Sequence, residues 1–310
     1  MCKKLKKIIK ATSFTAVALL LIFSLIITFA RDENIPTWDD IFVSVGLKER
    51  ILPKSAEDYV VFFDVGQGDS ALIVSNGKTA LIDTGEVQYG NLLYNKLRVY
   101  GAYGIDFMLG SHIHSDHIGG FSYILDNMPV KNLMLNFKNF DSDAQDDLLD
   151  GISSLCKMHK VKTFNPVRAS VVNIGDFEIT VIGFYPNTTG ENNRSIFTMA
   201  KLGDHKFLFT GDAEKQAEKL LLKDNINIDC DVLKVAHHGS KTSTNSDFID
   251  AASPEYAVIS CGSDNQYGHP DKDTIKDLQK HNVKILRTDV NSDIAFEISD
   301  KGLTLFTEKQ

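Results

Sequence analysis

Residues 108–120 read MLGSHIHSDHIGG, placing His112, His114, Asp116 and His117 within six residues, directly after an apolar run. Residues two apart in an extended chain point the same way, so His112 and His114 are predicted to offer two imidazoles to one cation. Asp116 and His117 fall where the chain turns into the next helix, placed to serve a second ion beside the first. Gly119-Gly120 predicts a close approach of backbone. Imidazole with carboxylate suits zinc, manganese or iron. An incidental polar loop rarely gathers three histidines and an aspartate at this spacing. The chemistry implied is that of a metal-activated water.

Two later segments offer the ligands that would close such sites. Thr210-Gly211-Asp212 ends the apolar run 205–210 and opens a helix; alone, Asp212 would read as a helix cap. The run 231–240, DVLKVAHHGS, ends in His237-His238-Gly239-Ser240. Adjacent residues of an extended chain face opposite ways. One of His237 and His238 is therefore expected to bind metal and the other to face substrate, and the sequence leaves open which.

The elements that must hold these loops alternate along the chain. Strands are predicted at 59–65, 70–75 and 79–83, the last two joined by the hairpin signal Asn76-Gly77. A helix near 90–100, a strand at 106–111, a helix at 118–127 and a strand at 130–136 follow. Leu148, Leu149, Ile152 and Leu155 give 143–158 one apolar helical face. The second half repeats the logic: strands near 161–164, 170–174 and 177–184, a hairpin of 195–202 and 205–210, and a helix carrying Ala213, Ala217, Leu220 and Leu221 on one stripe. Strands at 231–236 and 256–261 then alternate with helices near 245–252 and 271–281, and strands resume from 283. This grouping implies two packed sheets with helices outside.

The motifs LIDTG (81–85), HIHSDH (112–117), TGDA (210–213) and HHGS (237–240), in that order, look like the metallo-β-lactamase superfamily. FFDVGQGDSALI (62–73), SHIHSDHIGG (111–120), NNRS (192–195), LFTGDAE (208–214), DVLKVAHHGSKTS (231–243) and YGHP (267–270) resemble, more particularly, the extracellular hydrolase domain of the ComEC competence-protein family. The resemblance spans residue 59 to about 290. It implies an α/β chain folded as an αββα sandwich with the site at one edge of the sheets. It also implies His112 and His114 on one ion, Asp116 with one of His237 and His238 on the other, His117 near the second and Asp212 bridging both. Asp83 would support the ligand loop. Many superfamily members carry another histidine ligand before the TGDA strand; here Glu191-Asn192-Asn193-Arg194-Ser195 stands instead, as in ComEC-type domains. Losing an imidazole favours oxygen-rich coordination, such as manganese, or a single ion.

The cofactor expectation is thus one or two divalent ions, zinc or manganese, and the reaction hydrolysis by metal-activated water. The metal set is His112, His114, Asp116, His117, Asp212, His237 and His238. The catalytic set is Asp116, which orients the nucleophile, His238, Lys241 and His269. Lys241 and Ser240 are placed to hold a phosphate oxygen, and Asp64 and Asp69 are further candidates. The expected substrate is a phosphodiester, DNA or a cell-wall polymer. The alternatives are a phosphorylcholine-esterase-like enzyme of cell-surface polymers and a degenerate metal-binding protein without turnover. No obligate protein partner is inferred.

Residues 1–30 differ from the rest. Lys3, Lys4, Lys6, Lys7 and Lys10 precede twenty uncharged residues, 11–30. Such a run predicts a transmembrane signal-anchor or a cleaved signal peptide, hence contact with the membrane through 11–30 and a catalytic domain that is extracellular, or secreted. A linker is expected over 31–57 and the hydrolase domain over 58–310. Without those five lysines the 33 basic residues fall to 28 against 41 acidic ones, a formal −13. That is not the usual charge of a nucleic-acid binder unless a basic surface is local. Cys156, Cys230 and Cys261 have no close spacing and read as buried apolar residues rather than a disulfide frame.

Overall fold

The computed structural model describes residues 3–29, 35, 38, 41–42, 51–53, 55–137 and 143–309, with side chains from 15 and, after the internal gap, from 146. The predicted linker at 31–57 lies largely outside these residues. Helix α1 covers Lys3–Phe29. Among the described residues, however, no helix is long and apolar enough to cross a membrane. The expected transmembrane or signal helix is corrected on this ground. The membrane as a partner through 11–30 and the extracellular or secreted placement fall with it.

Two sheets form the body. In the first, β1 (Asp58–Phe62), β2 (Ala71–Ser75), β3 (Lys78–Ile82), β4 (Phe107–Leu109), β5 (Asn132–Met134) and β6 (Lys162–Phe164) follow chain order, while β14 (Ile294–Ser299) pairs with β1 and β15 (Gly302–Thr307) with β14 at the edge. The second runs from β7 (Val171–Ile174) through β8 (Phe177–Gly183), β9 (Phe197–Leu202), β10 (His205–Phe209), β11 (Val232–Lys234) and β12 (Tyr256–Ile259) to β13 (Lys284–Arg287). Each sheet is antiparallel on one side and parallel on the other: β3, β4, β5 and β6 are parallel in the first, and β10, β11, β12 and β13 in the second.

Period-two alternation sorts the strand residues between layers. Val60 and Phe62 of β1 point into the space between the sheets, where Phe62 stacks on Phe209 at 5.7 Å and Phe207 meets Phe296 edge-on at 5.9 Å. Tyr59, Val61 and Phe63 point the other way. There they pack under helices α2 (Gly90–Val99), α4 (Phe121–Asn127) and α5 (Asp143–Met158), whose Leu97, Phe121 and Ile152 are buried. Leu208 and Leu233 do the same on the outer face of the second sheet, beneath α6 (Lys215–Lys223), α7 (Ser246–Ala252) and α8 (Lys272–Lys280). The result is the expected αββα sandwich.

The helix expected over 118–127 is broken. A single turn, α3 (Ser115–Ile118), is followed at Gly119-Gly120 by α4. A methyl group on Gly119 would lie 2.3 Å from the Ser115 carbonyl and 2.7 Å from the Val87 amide. The expected close approach is therefore real, and it lets α3 sit down on the neighbouring loop. The hairpin at Asn76-Gly77 is also present, with both residues at positive φ, 48° and 68°. Cys156, Cys230 and Cys261 are buried free thiols.

Candidate metal centre

Four strand ends converge at one edge of the sandwich. β3 runs into Asp83, β4 into the segment carrying His112 to His117, β10 into Asp212 and β11 into His237-His238. Backbone hydrogen bonds lock the loops together. The Thr84 amide donates to the His117 carbonyl at 2.7 Å, the Asp69 amide to Asp116 at 3.2 Å, the His237 amide to Gly211 at 3.1 Å and the Ile196 amide to Ser111 at 2.9 Å. Residues as far as 85 positions apart, Ser111 and Ile196, are thereby held in one nest.

His117 Nε2 lies 3.2 Å from Asp212 Oδ1 and 4.0 Å from Asp116 Oδ2. His238 Nε2 lies 3.2 Å from Asp116 Oδ2 and 3.5 Å from Asp212 Oδ2. One donor atom from each of Asp116, His117, Asp212 and His238 falls within 4.8 Å of the others. His117 Nε2 and Asp212 Oδ1 are buried, and neither has a hydrogen-bond partner. Orphaned polar atoms side by side in a dry pocket cost about 1–3 kcal/mol each. A divalent cation between them removes that cost, and two imidazoles with two carboxylates match zinc, manganese or iron. The residues fit a metal ion.

The outer atoms of the same side chains are tied down. His117 Nδ1 lies 2.9 Å from Asp83 Oδ2, and Asp83 also accepts from the Ser111 amide and hydroxyl, both at 2.7 Å. His238 Nδ1 donates to the Ser260 carbonyl at 2.9 Å. Both rings therefore present Nε2 to the cluster, the arrangement in which an outer acceptor orients a metal-binding histidine. His112 Nε2 and His114 Nδ1 lie 3.0 Å apart, and the His112 ring centroid is 4.2 Å from that of His117. Asp212 is seated by its own amide, which donates to Ser195 Oγ at 3.0 Å. The NNRS segment thus contributes a strut to the site.

His237 and His238 do not lie on an extended chain. Both are left-handed, at φ 50°, ψ 46° and φ 52°, ψ 26°. That conformation costs about 1–2 kcal/mol per residue and turns the backbone sharply. His238 enters the cluster. His237 stands at its rim, 3.8 Å from Asp212 and 3.2 Å from Thr242 Oγ1. His269 sits across the opening, its ring 5.5 Å from that of His237 and 6.3 Å from that of His238. Lys241 lines a neighbouring pocket on the far side of this loop. Asp64 lines a separate groove and accepts from Gly66.

One contributor escaped the sequence reading. Lys234 is buried on β11, its Nζ 2.6 Å from Asp69 Oδ2, while Asp69 Oδ1 lies 3.3 Å from His238 Nδ1. The signal was a lysine inside the otherwise apolar run DVLKVA, since lysine is almost never buried without a partner.

The charges are strongly unbalanced. Burial pushes Asp212 up, but His117 and His238 outweigh it and hold its carboxyl well below the usual range. Burial also opposes the charge on Asp69, yet Lys234 keeps it below its ordinary value. Burial pulls His238 down, but Asp212, Asp116 and Asp69 raise it to about 10; His117 is likewise carried well above its ordinary value. His112 goes the other way, lowered by burial and by His117. Without a cation, protons on His117 and His238 balance the carboxylates. A folded pKa above the unfolded value of about 6.5 contributes stability that is complete below pH 6.5 and lost as pH rises through about 10. Metal-free protein is therefore expected to lose stability over that window, as read by urea melts. Metal binding near pH 7 is expected to release about two protons, measured by calorimetry in buffers of different ionisation enthalpy.

The sandwich and the histidine–aspartate cluster at its edge define a metal-dependent hydrolase. The chain belongs to the metallo-beta-lactamase superfamily, whose family model matches residues 63–263. It is 32% identical to ComE operon protein 3 of Bacillus subtilis over 266 residues, 80% of this chain and 34% of that protein. It is 28% identical to the competence protein ComA of Neisseria gonorrhoeae over 290 residues, 90% of this chain and 38% of that protein. The chain thus spans little more than a third of either relative. Among solved structures, the metallo-beta-lactamase fold protein YhfI of Bacillus subtilis shares the fold at a TM-score of 0.54 and 14% identity, over 78% of this chain and 100% of that one. The CmlA beta-hydroxylase does so at 0.52 and 12%, over 84% and 59%.

Proposed function

We propose that this chain hydrolyses phosphodiester bonds in a nucleic-acid strand, as a ComEC-type hydrolase. The observation that carries the hydrolytic reading is the facing pair His117 Nε2 and Asp212 Oδ1, buried beside Asp116 and His238, which line a cleft of about 430 Å³ whose wall also includes His114, Asn192, His237, Tyr267 and His269. The substrate class is supported by the competence proteins among its relatives.

Asp116, His117, Asp212 and His238 would hold the ion, with His112 and His114 beside them for a second. A bound divalent ion would lower the pKa of water towards about 7 and polarise a phosphoryl oxygen. The protein's own groups do the rest. Asp116 belongs to the cluster yet keeps a quarter of its side chain exposed to the cleft. Its carboxyl is held far below the usual range, burial being outweighed by His117 and His238, so it is ionised at any working pH. It accepts a hydrogen from the attacking water and aims the lone pair at phosphorus. His269, lowered by burial and by the two neighbouring histidines, is neutral and offers an imidazole to the substrate from across the cleft. Ser260 and Asp83 fix the two inner rings, so little reorganisation accompanies the reaction.

The test is a substrate panel with Mn²⁺ or Zn²⁺: single-stranded DNA, bis-p-nitrophenyl phosphate, a phosphorylcholine ester and nitrocefin. Turnover of DNA and of the simple diester is expected. Cleavage of the choline ester alone would move the assignment to surface polymers. No turnover with either metal would overturn it.

A further inference from the structure

A second concavity, of about 540 Å³, lies behind the loop that carries His237. Lys215, Lys241, Thr242, Ser243, Asn245 and Thr274 line it. Only the loop separates it from the metal cleft: Thr242 Oγ1, in the pocket wall, is 3.2 Å from Nδ1 of His237, which borders the cleft. Helices α6 and α8, nine residues each, both begin at this pocket, and Glu214 makes no side-chain cap on α6. Asp271 caps α8 by accepting from the Asp273 amide at 2.8 Å and the Lys215 amide donates to the Thr242 carbonyl at 3.1 Å, so it is the positive ends of the two helix dipoles, rather than free amides, that gather there. Independently, Ser243, a residue of the pocket lining, is 3% exposed and its buried Oγ has no hydrogen-bond partner.

The charge around the pocket runs against that of the body. Lys215, Lys219 and Lys223 form an exposed stripe along α6, and Lys272, Lys276 and Lys280 another along α8, each at a spacing of four. The lining also holds two acids, which pair within α8, Asp273 with Lys276 at 3.2 Å and Asp277 with Lys280 at 2.7 Å. Lys241 has no carboxylate within ion-pair reach among the described residues, and Lys215 spends one donor on the Lys241 carbonyl at 2.8 Å. A chain with a formal −8 overall has placed its lysines beside the site.

We propose that this pocket is a subsite for a non-scissile phosphate of a nucleic-acid strand, bound by Lys241, Lys215 and the Ser243 hydroxyl while the scissile phosphate occupies the metal cleft. The inference rests on the phosphodiesterase reading and adds to it a requirement for more than one phosphate. The strand would cross the His237–Thr242 loop and continue over the lysine stripes.

The experiment compares the full chain with Lys215→Gln/Ser243→Ala, loaded with Mn²⁺. The substrates are bis-p-nitrophenyl phosphate, with one phosphate, and an octathymidylate, with several. We expect kcat/KM on the oligonucleotide to fall about tenfold or more, with that on the single diester unchanged, and Lys215→Arg in place of Gln to restore most of the loss. Anisotropy of a labelled octathymidylate is read in parallel, with a weaker affinity and a salt slope reduced by about one expected in the double variant. Equal losses on both substrates, or no loss on the oligonucleotide, would overturn the subsite. If the wild type turned over neither substrate, the phosphodiesterase reading would fail. Anisotropy would then decide the pocket alone, unchanged affinity in the double variant ruling it out.

Discussion

Asp212→Ala is expected to abolish hydrolysis and to strip the divalent ion from the protein. The side chain is 2% exposed, and its two oxygens face His117 Nε2 at 3.2 Å and His238 Nε2 at 3.5 Å. No other carboxylate in the cluster reaches both imidazoles so closely; Asp116 is 3.2 Å from His238 but 4.0 Å from His117. Losing an outer partner of a metal ligand costs about 10–100-fold in affinity, and losing the group between two ligands is expected to exceed that. Activity is expected to drop by about a thousandfold or more. Metal content after dialysis is one measurement. The thermal shift on adding metal is another: wild type gains about 2.7 kcal/mol at a hundredfold excess over Kd, and the variant gains none. A variant that kept wild-type stoichiometry and affinity would dissolve the cluster as a metal site.

Lys234→Met is expected to be among the most destabilising single changes in the body. Lys234 and Asp69 are a buried pair, 2.6 Å apart with side chains 4% and 7% exposed. Removing the lysine leaves a carboxylate without its cation, at a cost of about 3–5 kcal/mol. Asp69 also lies against His238 Nδ1, so the loss extends to the ring that faces the cluster. The pH dependence identifies the cause. In the native pair Asp69 is held below its ordinary value by Lys234 against the push of burial. Its contribution is present above the unfolded pKa of about 4 and lost as pH falls through the folded one. The deficit of the variant is therefore expected to be largest near neutral pH and to shrink towards pH 4. Asp69→Asn/Lys234→Met is expected to recover much of the stability without recovering activity, because the support behind His238 is still gone. A deficit independent of pH would mean lost packing rather than an uncompensated charge.

The two changes probe different depths of the site, and they were not equally visible beforehand. Asp212 stands in a motif, TGDA, that ends a strand and opens a helix. Lys234 is one residue in an apolar strand, and nothing local says what it pairs with. The partner lies 165 positions away, in a turn after β1. The position of His238 was hidden for a different reason. Alternation along an extended chain is a sound rule for strands, but two consecutive left-handed residues break it, and their strain is sustained only because Gly211, Ser260 and Thr242 hold the loop from three sides. At residues 11–30 the composition pointed to a membrane span, whereas the described helix does not provide one.

What the sequence determined by itself was local: alternation placed the strands, apolar stripes placed the helices, and the spacing of His112, His114, Asp116 and His117 announced metal chemistry before any coordinates. Only the tertiary structure decided which histidine of the pair at 237–238 faces Asp116 and Asp212, that a buried lysine balances Asp69, and that two helix starts and a lysine-lined pocket lie one loop away from the cleft. The reason is physical. Periodicity and ligand type are properties of neighbouring residues, whereas a cluster of charges in a dry pocket is set by the strand order of two sheets, which brings together carboxylates, imidazoles and an ammonium group from five separate segments.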